Sequence, residues 1–152
     1  MKRFLLGIAA TIILTLGVGA ASASAATNNF RITNYDASYH LSRDSEHRST
    51  LKTVETITAE FPQSNQNHGL ERALPLRYDD HTTKLKIISI TDQQGTSLEY
   101  DSSDRGDNRI VRIGDPDKYV HGQQTYVIAY TQRDVTRFYA NTDSDEFYWD
   151  TI

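Results

Sequence analysis

From Tyr35 to Leu41 the chain alternates, with Tyr35, Ala37, Tyr39 and Leu41 on one parity and Asp36, Ser38 and His40 on the other. A period of two over this length predicts a strand with one face half-buried. Phe30 and Ile32 occupy the opposite parity, which predicts a bulge or bend near Asn34. A second alternating run sets Leu51, Thr53, Glu55, Ile57, Ala59 and Phe61 against mostly polar partners, Val54 being the exception. Its threonines and β-branched residues favour a strand over a helix. LKIISI, Leu85 to Ile90, is apolar on both parities and predicts a strand covered on both faces. SLEY, NRIVRIG and TYVIAYT add three more, with Tyr126, Ile128 and Tyr130 facing one way and Val127 and Ala129 the other.

The breaks between these runs are turn chemistry. Gln93-Gln94-Gly95 reads as a hairpin loop, and Ser102 to Asn108 as a longer polar connection around Gly106. In Gly114-Asp115-Pro116-Asp117 the proline fixes its own φ, and either aspartate can accept from nearby backbone N–H groups. Gly114 and Gly122 flank DPDKYVH at the ends of candidate strands, where positive φ is expected. Short strands at regular spacing, with no helical stripe between them, predict an all-β fold: an antiparallel β-sandwich with immunoglobulin-like layering.

The first residues belong to a different category. Met1-Lys2-Arg3 is positively charged, Phe4 to Val18 is an almost unbroken apolar run, and Ala23-Ser24-Ala25 fits the small-x-small rule. Residues 1–25 therefore read as a cleavable signal helix, too short in its apolar part for the roughly 20 residues of a spanning helix. Residues 26–152 then form one domain, exported to the extracytoplasmic face of the cell membrane or secreted. Without Lys2 and Arg3 the exported part holds 14 basic against 20 acidic residues, near −6. With no basic stripe to displace phosphate counterions, nucleic acid is excluded as a partner. Zero cysteines exclude a disulfide framework and thiolate metal sites, leaving burial alone to hold the domain together.

FRITNYDASYHLSRD, TVETITAEF, NHGLERALP, IGDPDKYVHGQQTYVIAYT and DEFYWD follow one another in this order. Together they resemble the extracytoplasmic N-terminal domain of predicted bacterial membrane proteins of the domain-of-unknown-function 2207 family, over essentially the whole exported chain. The resemblance implies a β-rich domain held outside the cytoplasmic membrane and followed by transmembrane helices. It implies no established activity. In that family the segment similar to FYW plus Asp or Asn is followed by further strand sequence, so the domain at 26–152 is expected to be truncated at its C-terminus, with an unpaired sheet edge.

Candidate chemistry centres on NHGLERALP, Asn67 to Pro75. As a binding loop it offers His68, Glu71 and Arg72: an imidazole, a carboxylate and a guanidinium suited to an anion. As architecture, Gly69 supplies positive φ at a corner, Arg72 pairs with a carboxylate on a neighbouring strand, and Leu70 and Leu74 plug the end of the sandwich. One His with one Glu falls below the three or four ligands of a zinc site, so neither metal nor cofactor is expected. DSSDRGDN lacks the acid of a calcium loop at Arg105 and its bidentate Glu at Arg112, and reads as a solvated hairpin tip. In TDSDEFYWD, Asp143, Asp145, Glu146 and Asp150 accompany aromatics, and the parity of Phe147 and Trp149 predicts a strand entering the core.

Two functions follow from these residues. The first is a non-catalytic module binding an envelope protein or polymer, or its own membrane-anchored region. The second is an envelope hydrolase or metal-dependent enzyme using His68, Glu71, Asp145 and Glu146. Convergence of these side chains with Arg72 in one concave pocket would favour the enzyme.

Overall fold

A computed structural model of the chain describes residues 29–78, 80–147 and 149. Residues 1–25, expected to be a signal segment, lie outside the described residues. Eleven strands follow in order: β1 (Arg31–Arg43), β2 (Ser49–Phe61), β3 (Leu70–Pro75), β4 (Arg77–Tyr78), β5 (His81–Thr82), β6 (Lys86–Thr91), β7 (Tyr100–Arg105), β8 (Asn108–Ile113), β9 (Gly122–Arg133), β10 (Arg137–Tyr139) and β11 (Ser144–Glu146). A four-stranded sheet in the order β1-β2-β9-β6 faces a three-stranded sheet, β3-β8-β7, and every pairing is antiparallel. The protein is thus an all-β antiparallel sandwich with immunoglobulin-like layering.

The alternation in β2 carries through without exception. Leu51, Thr53, Glu55, Ile57, Ala59 and Phe61 are all buried. Ile57, Ala59 and Phe61 meet Leu70 and Leu74 of β3, Ile90 of β6, Val111 and Ile113 of β8, and Tyr126, Ile128 and Tyr130 of β9 in one core between the sheets. In β1 the register against β2 shifts between Ile32 and Asn34, the bulge that the parity change of Phe30 and Ile32 requires. The β1–β2 turn is held by Asp44, whose Oδ1 accepts the N–H groups of Glu46 and Arg48. Those bonds, that from Arg48 first, hold the Asp44 carboxyl below the usual carboxylate range.

Four segments depart from expectation, one of them SLEY, of which only Tyr100 lies in a strand, β7. SSDR is not a loop but most of β7, paired with β8 down to Arg105↔Asn108, and the turn is only Gly106-Asp107. Gly106, at φ 58°, stands first in that turn, where a type II′ hairpin needs glycine. Every β7 residue is exposed, so no hydrophobic alternation marked the strand. LKIISI is not covered on both faces: β6 is an edge strand, and an irregularity between Ile87 and Ser89 leaves Ile88 exposed while Ile90 is buried. TDSDEF does not enter the core either; Ser144–Glu146 pairs only with β10, in an exposed two-stranded hairpin beyond the end of β9. Phe147 stays exposed and stacks on Trp149 with ring centroids 6.0 Å apart.

The remaining turns behave as expected. Asp92 Oδ1 accepts from the N–H groups of Gln94 and Thr96 to shape the Gly95 turn. Asp115 Oδ1 accepts from the N–H of Asp117 at Pro116. Two backbones approach closely where β8 leaves its sheet beside the start of β3. Gly69 and Gly114 lie back to back there at φ 140° and 135°. A Cβ on Gly69 would sit 1.8 Å from the Ile113 carbonyl oxygen, and one on Gly114 2.0 Å from that of His68. Gly95, at φ 84°, has open space around it.

Gly69→Ala and Gly114→Ala are therefore each expected to destabilise by about 2–6 kcal/mol, combining backbone strain with overpacking against main chain. Gly95→Ala carries only the conformational part, about 1 kcal/mol. Urea unfolding of the three variants checks the ranking, and equal losses at all three would contradict it.

Candidate functional site

On β3, Leu70, Arg72 and Leu74 share one parity, and the two leucines are buried, so the Arg72 side chain is directed inward. It does not reach a neighbouring strand of its own sheet. It crosses the sandwich to Glu55 in β2, a carboxylate only 1 % exposed. The contact is bidentate: Arg72 Nε donates to Oε2 at 2.7 Å and Nη2 to Oε1 at 2.9 Å. Tyr130 of β9 donates its hydroxyl to the same Oε1 at 2.9 Å. From β1, the Tyr35 ring lies 5.9 Å from the guanidinium carbon, and Arg72 Nη2 makes a long 3.5 Å contact to its hydroxyl. One guanidinium thus ties together residues of β1, β2 and β9 from the opposite sheet.

The electrostatics follow from this enclosure. The Glu55 hydrogen bonds hold Arg72 above its already high basicity despite its burial. Burial first, and then the Glu55 charge, push the Tyr35 phenol up to about 12. The same two causes raise Tyr130 further. Tyr126 is pushed up to about 12 by burial alone, and its hydroxyl has no hydrogen-bond partner among the described residues. Glu55 and Arg72 satisfy each other and leave no oxygen facing a ligand-sized space. The cluster clamps the two sheets together.

His68 and Glu71 are placed elsewhere. His68 donates from Nδ1 to the Lys118 carbonyl oxygen at 3.0 Å, and its ring lies against Tyr119 at 4.4 Å between centroids. Glu71, on the outward parity of β3, accepts from Arg112 Nε at 3.1 Å. Arg112 stands between Glu71 and Asp101 in the cross-strand register. His68, Glu71, Arg112 and Asp101 line an open cleft of about 740 Å³ whose apolar floor includes Phe30, Leu70 and Ile113. Arg72 is not part of that cleft. Asp145 is farther still, in the C-terminal hairpin, where it pairs with Arg43 of β1. The His68 loop therefore splits into an outward pair and an inward clamp, and the acidic hairpin joins neither. Among the described residues, no group of three or more His, Cys, Asp or Glu side chains is placed to share a metal ion.

Glu55, Tyr130 and Tyr35, the partners of Arg72, were not singled out in the sequence. The signal that would have found Glu55 is its parity: it is the one ionisable residue on the inward positions of β2, between Thr53 and Ile57. A buried carboxylate requires a cation, and Arg72 is the one ionisable residue on the inward parity of β3.

Fold and site define a small all-β sandwich whose interior charge is spent on joining its two sheets. The family model described as the N-terminal domain of predicted membrane protein DUF2207 matches residues 31–152, and the chain belongs to that family. No curated protein and no solved structure matches the chain.

Removing one side of the clamp strands the other. Arg72→Ala is expected to cost about 3–5 kcal/mol, because Glu55 is left as an uncompensated buried charge. His68→Ala should cost under about 1 kcal/mol, since it removes one half-exposed hydrogen bond. Urea titrations at pH 7 check both, and an Arg72→Ala loss no larger than that of His68→Ala would contradict the account.

Alkaline pH probes the tyrosines. Tyr35 and Tyr126 stay protonated in the fold to about 12, whereas unfolded tyrosine ionises near 10. The unfolded state therefore binds fewer protons between these values, and stability falls as pH rises from about 10 to 12. Tyr126→Phe should flatten that fall at little cost at pH 7, while Tyr130→Phe loses a hydrogen bond to a charged group, about 1.5–3 kcal/mol. Thermal unfolding across this range, with both variants, is the measurement.

Proposed function

We propose that the chain is an extracytoplasmic, non-catalytic interaction domain at the bacterial cell envelope, exported by residues 1–25. It engages an envelope protein or polymer, or a membrane-anchored region of its own protein. Membership of a family described as the N-terminal domain of a predicted membrane protein supports the membrane setting. The positively charged start, the apolar run and Ala23-Ser24-Ala25 support export.

The observation that carries the non-catalytic reading is the separation of the ionisable side chains. Arg72 and Glu55 are consumed in the clamp, Glu71 is held by Arg112, and Asp145 by Arg43. Acid–base catalysis needs a base within about 3 Å of the group it serves and free to exchange a proton. His68, whose Nδ1 is committed to a carbonyl, faces an open cleft beside a paired carboxylate. Such a cleft, with an apolar floor and a charged rim, is suited to a docked side chain or sugar ring. His68 and Glu71 are the binding residues of this reading, and Arg72 supports the wall behind them.

The absence of cysteine makes the topology directly testable. Thr96→Cys, at the exposed Gly95 turn, introduces a single thiol that a membrane-impermeant maleimide reaches from one side only. Labelling of intact spheroplasts is the expected result. Labelling only after the membrane is permeabilised would place the domain in the cytoplasm and overturn the proposal.

A further inference from the structure

The four-stranded sheet is one strand wider than the sheet it faces, and β1 is one of its two edge strands. The inward side of β1 carries Ile32, Tyr35, Ala37, Tyr39 and Leu41, opposite Ala59, Ile57, Glu55, Thr53 and Leu51 of β2. These β2 positions are buried, yet Ile32, Tyr35 and Leu41 remain 44 %, 38 % and 43 % exposed. Only Tyr35 gains a cover, from Arg72. The result is an apolar stripe along a 13-residue edge strand that has no partner strand on its far side among the described residues. Natural sheets normally shorten or blunt such an edge.

The ladder shows which groups the edge offers. Asp44 donates its N–H to the Arg48 carbonyl across the β1–β2 turn. Alternation then directs the backbone groups of Ser42, His40, Ser38 and Asp36 toward β2. Those of Leu41, Tyr39, Ala37 and Tyr35 point to the free edge. The same four residues carry the inward side chains, so a strand added there gains main-chain bonds and apolar contact together.

We propose that the occupant of this edge is β1 of a second copy, paired antiparallel about a two-fold axis at Ser38. In that register Tyr35 stands opposite the partner's Leu41, and Ala37 opposite the partner's Tyr39, which closes the apolar stripe on both copies. On the other face Asp36 stands opposite the partner's His40, behind which Lys52 is the cross-strand neighbour. Each copy thus sets one acid against a basic pair, twice by symmetry. Arg43 stands opposite the partner's Thr33 and keeps its own Asp145. Moving the axis to Ala37 would instead set Arg31 against the partner's Arg43 and Asp36 against Ser38, opposing like charges and losing the attraction. Charge complementarity selects the Ser38 axis. The two four-stranded sheets become one continuous sheet across the dimer. A strand-edge contact falls at or below the roughly 1,200 Å² of stable complexes, so dissociation on the order of micromolar is expected.

The test uses the full chain expressed with its own leader and purified after processing. Sedimentation velocity across a wide concentration range should show a reversible monomer–dimer equilibrium. Asp36→Lys and His40→Glu each set like charges opposite one another and should weaken self-association at least tenfold. An equimolar mixture of the two variants sets acid against base at both contacts, one native and one swapped, and should dimerise better than either alone. Both positions are exposed, and circular dichroism confirms that the variants fold. Ser38→Cys should cross-link to itself with oxidised glutathione, because the axis sets residue 38 against its own copy; Asp36→Cys alone should not. A wild-type chain monomeric throughout would overturn the proposal. A mixture no better than its components, or equal cross-linking from both cysteine variants, would refute this register.

Discussion

A carboxylate buried between two sheets must find a cation there, and that requirement organises this sandwich. Glu55 is on the inward face of β2 because the strand alternates strictly from Leu51 to Phe61. Nothing in its own sheet neutralises it; the neighbour Tyr130 donates one hydrogen bond and no charge. The cation comes from β3, in the opposite sheet, and can arrive only if β3 keeps its parity with Leu70 and Leu74 inward. A one-residue slip of β3 would bring Glu71 inward and expel Arg72. The ion pair therefore couples the register of one sheet to that of the other. Apolar contact alone specifies the layer but not this alignment.

The clamp lies on the side of the sandwich where the sheets differ in width. Arg72 covers Tyr35, and its partly exposed guanidinium forms the boundary between the filled core and the overhanging strand β1. At the end of β8, Gly69 and Gly114 let the backbone touch that before β3, and both glycines line the outward cleft with His68. Neighbouring residues of one strand, Glu71 and Arg72, thereby serve opposite surfaces. Their proximity in sequence says little about a shared site.

Where burial follows a period of two, the sequence was legible: β1 with its bulge near Asn34, β2, and the Tyr126–Ile128–Tyr130 face of β9 all stand as the alternation requires. Turn chemistry was equally clear at Asp92–Gly95 and Asp115–Asp117, because an aspartate bonding its own backbone is a local event. Strands at the margins were not legible. β7 is polar on both faces because water covers both, and apolar Ile88 in β6 faces solvent because of an irregularity that no local pattern announces. The candidate site was half legible. That Arg72 needs a carboxylate followed from its chemistry, but the identity of Glu55 depended on which strands face each other across the core. That is a property of topology, which periodicity does not encode.

The coupling between Glu55 and Arg72 tests the central claim most directly. In a double-mutant cycle, Glu55→Gln keeps an acceptor for the Tyr130 hydroxyl and Arg72→Met keeps the volume of the stem, so each change removes chiefly the charge. Unfolding free energies of the wild type, the two single variants and the double variant give the interaction term. If the ion pair aligns the sheets, each single change is costly and the double variant recovers much of the loss, with a coupling of about 2 kcal/mol or more. Losses that add to within about 0.5 kcal/mol would show that the two residues act independently, and would contradict the account.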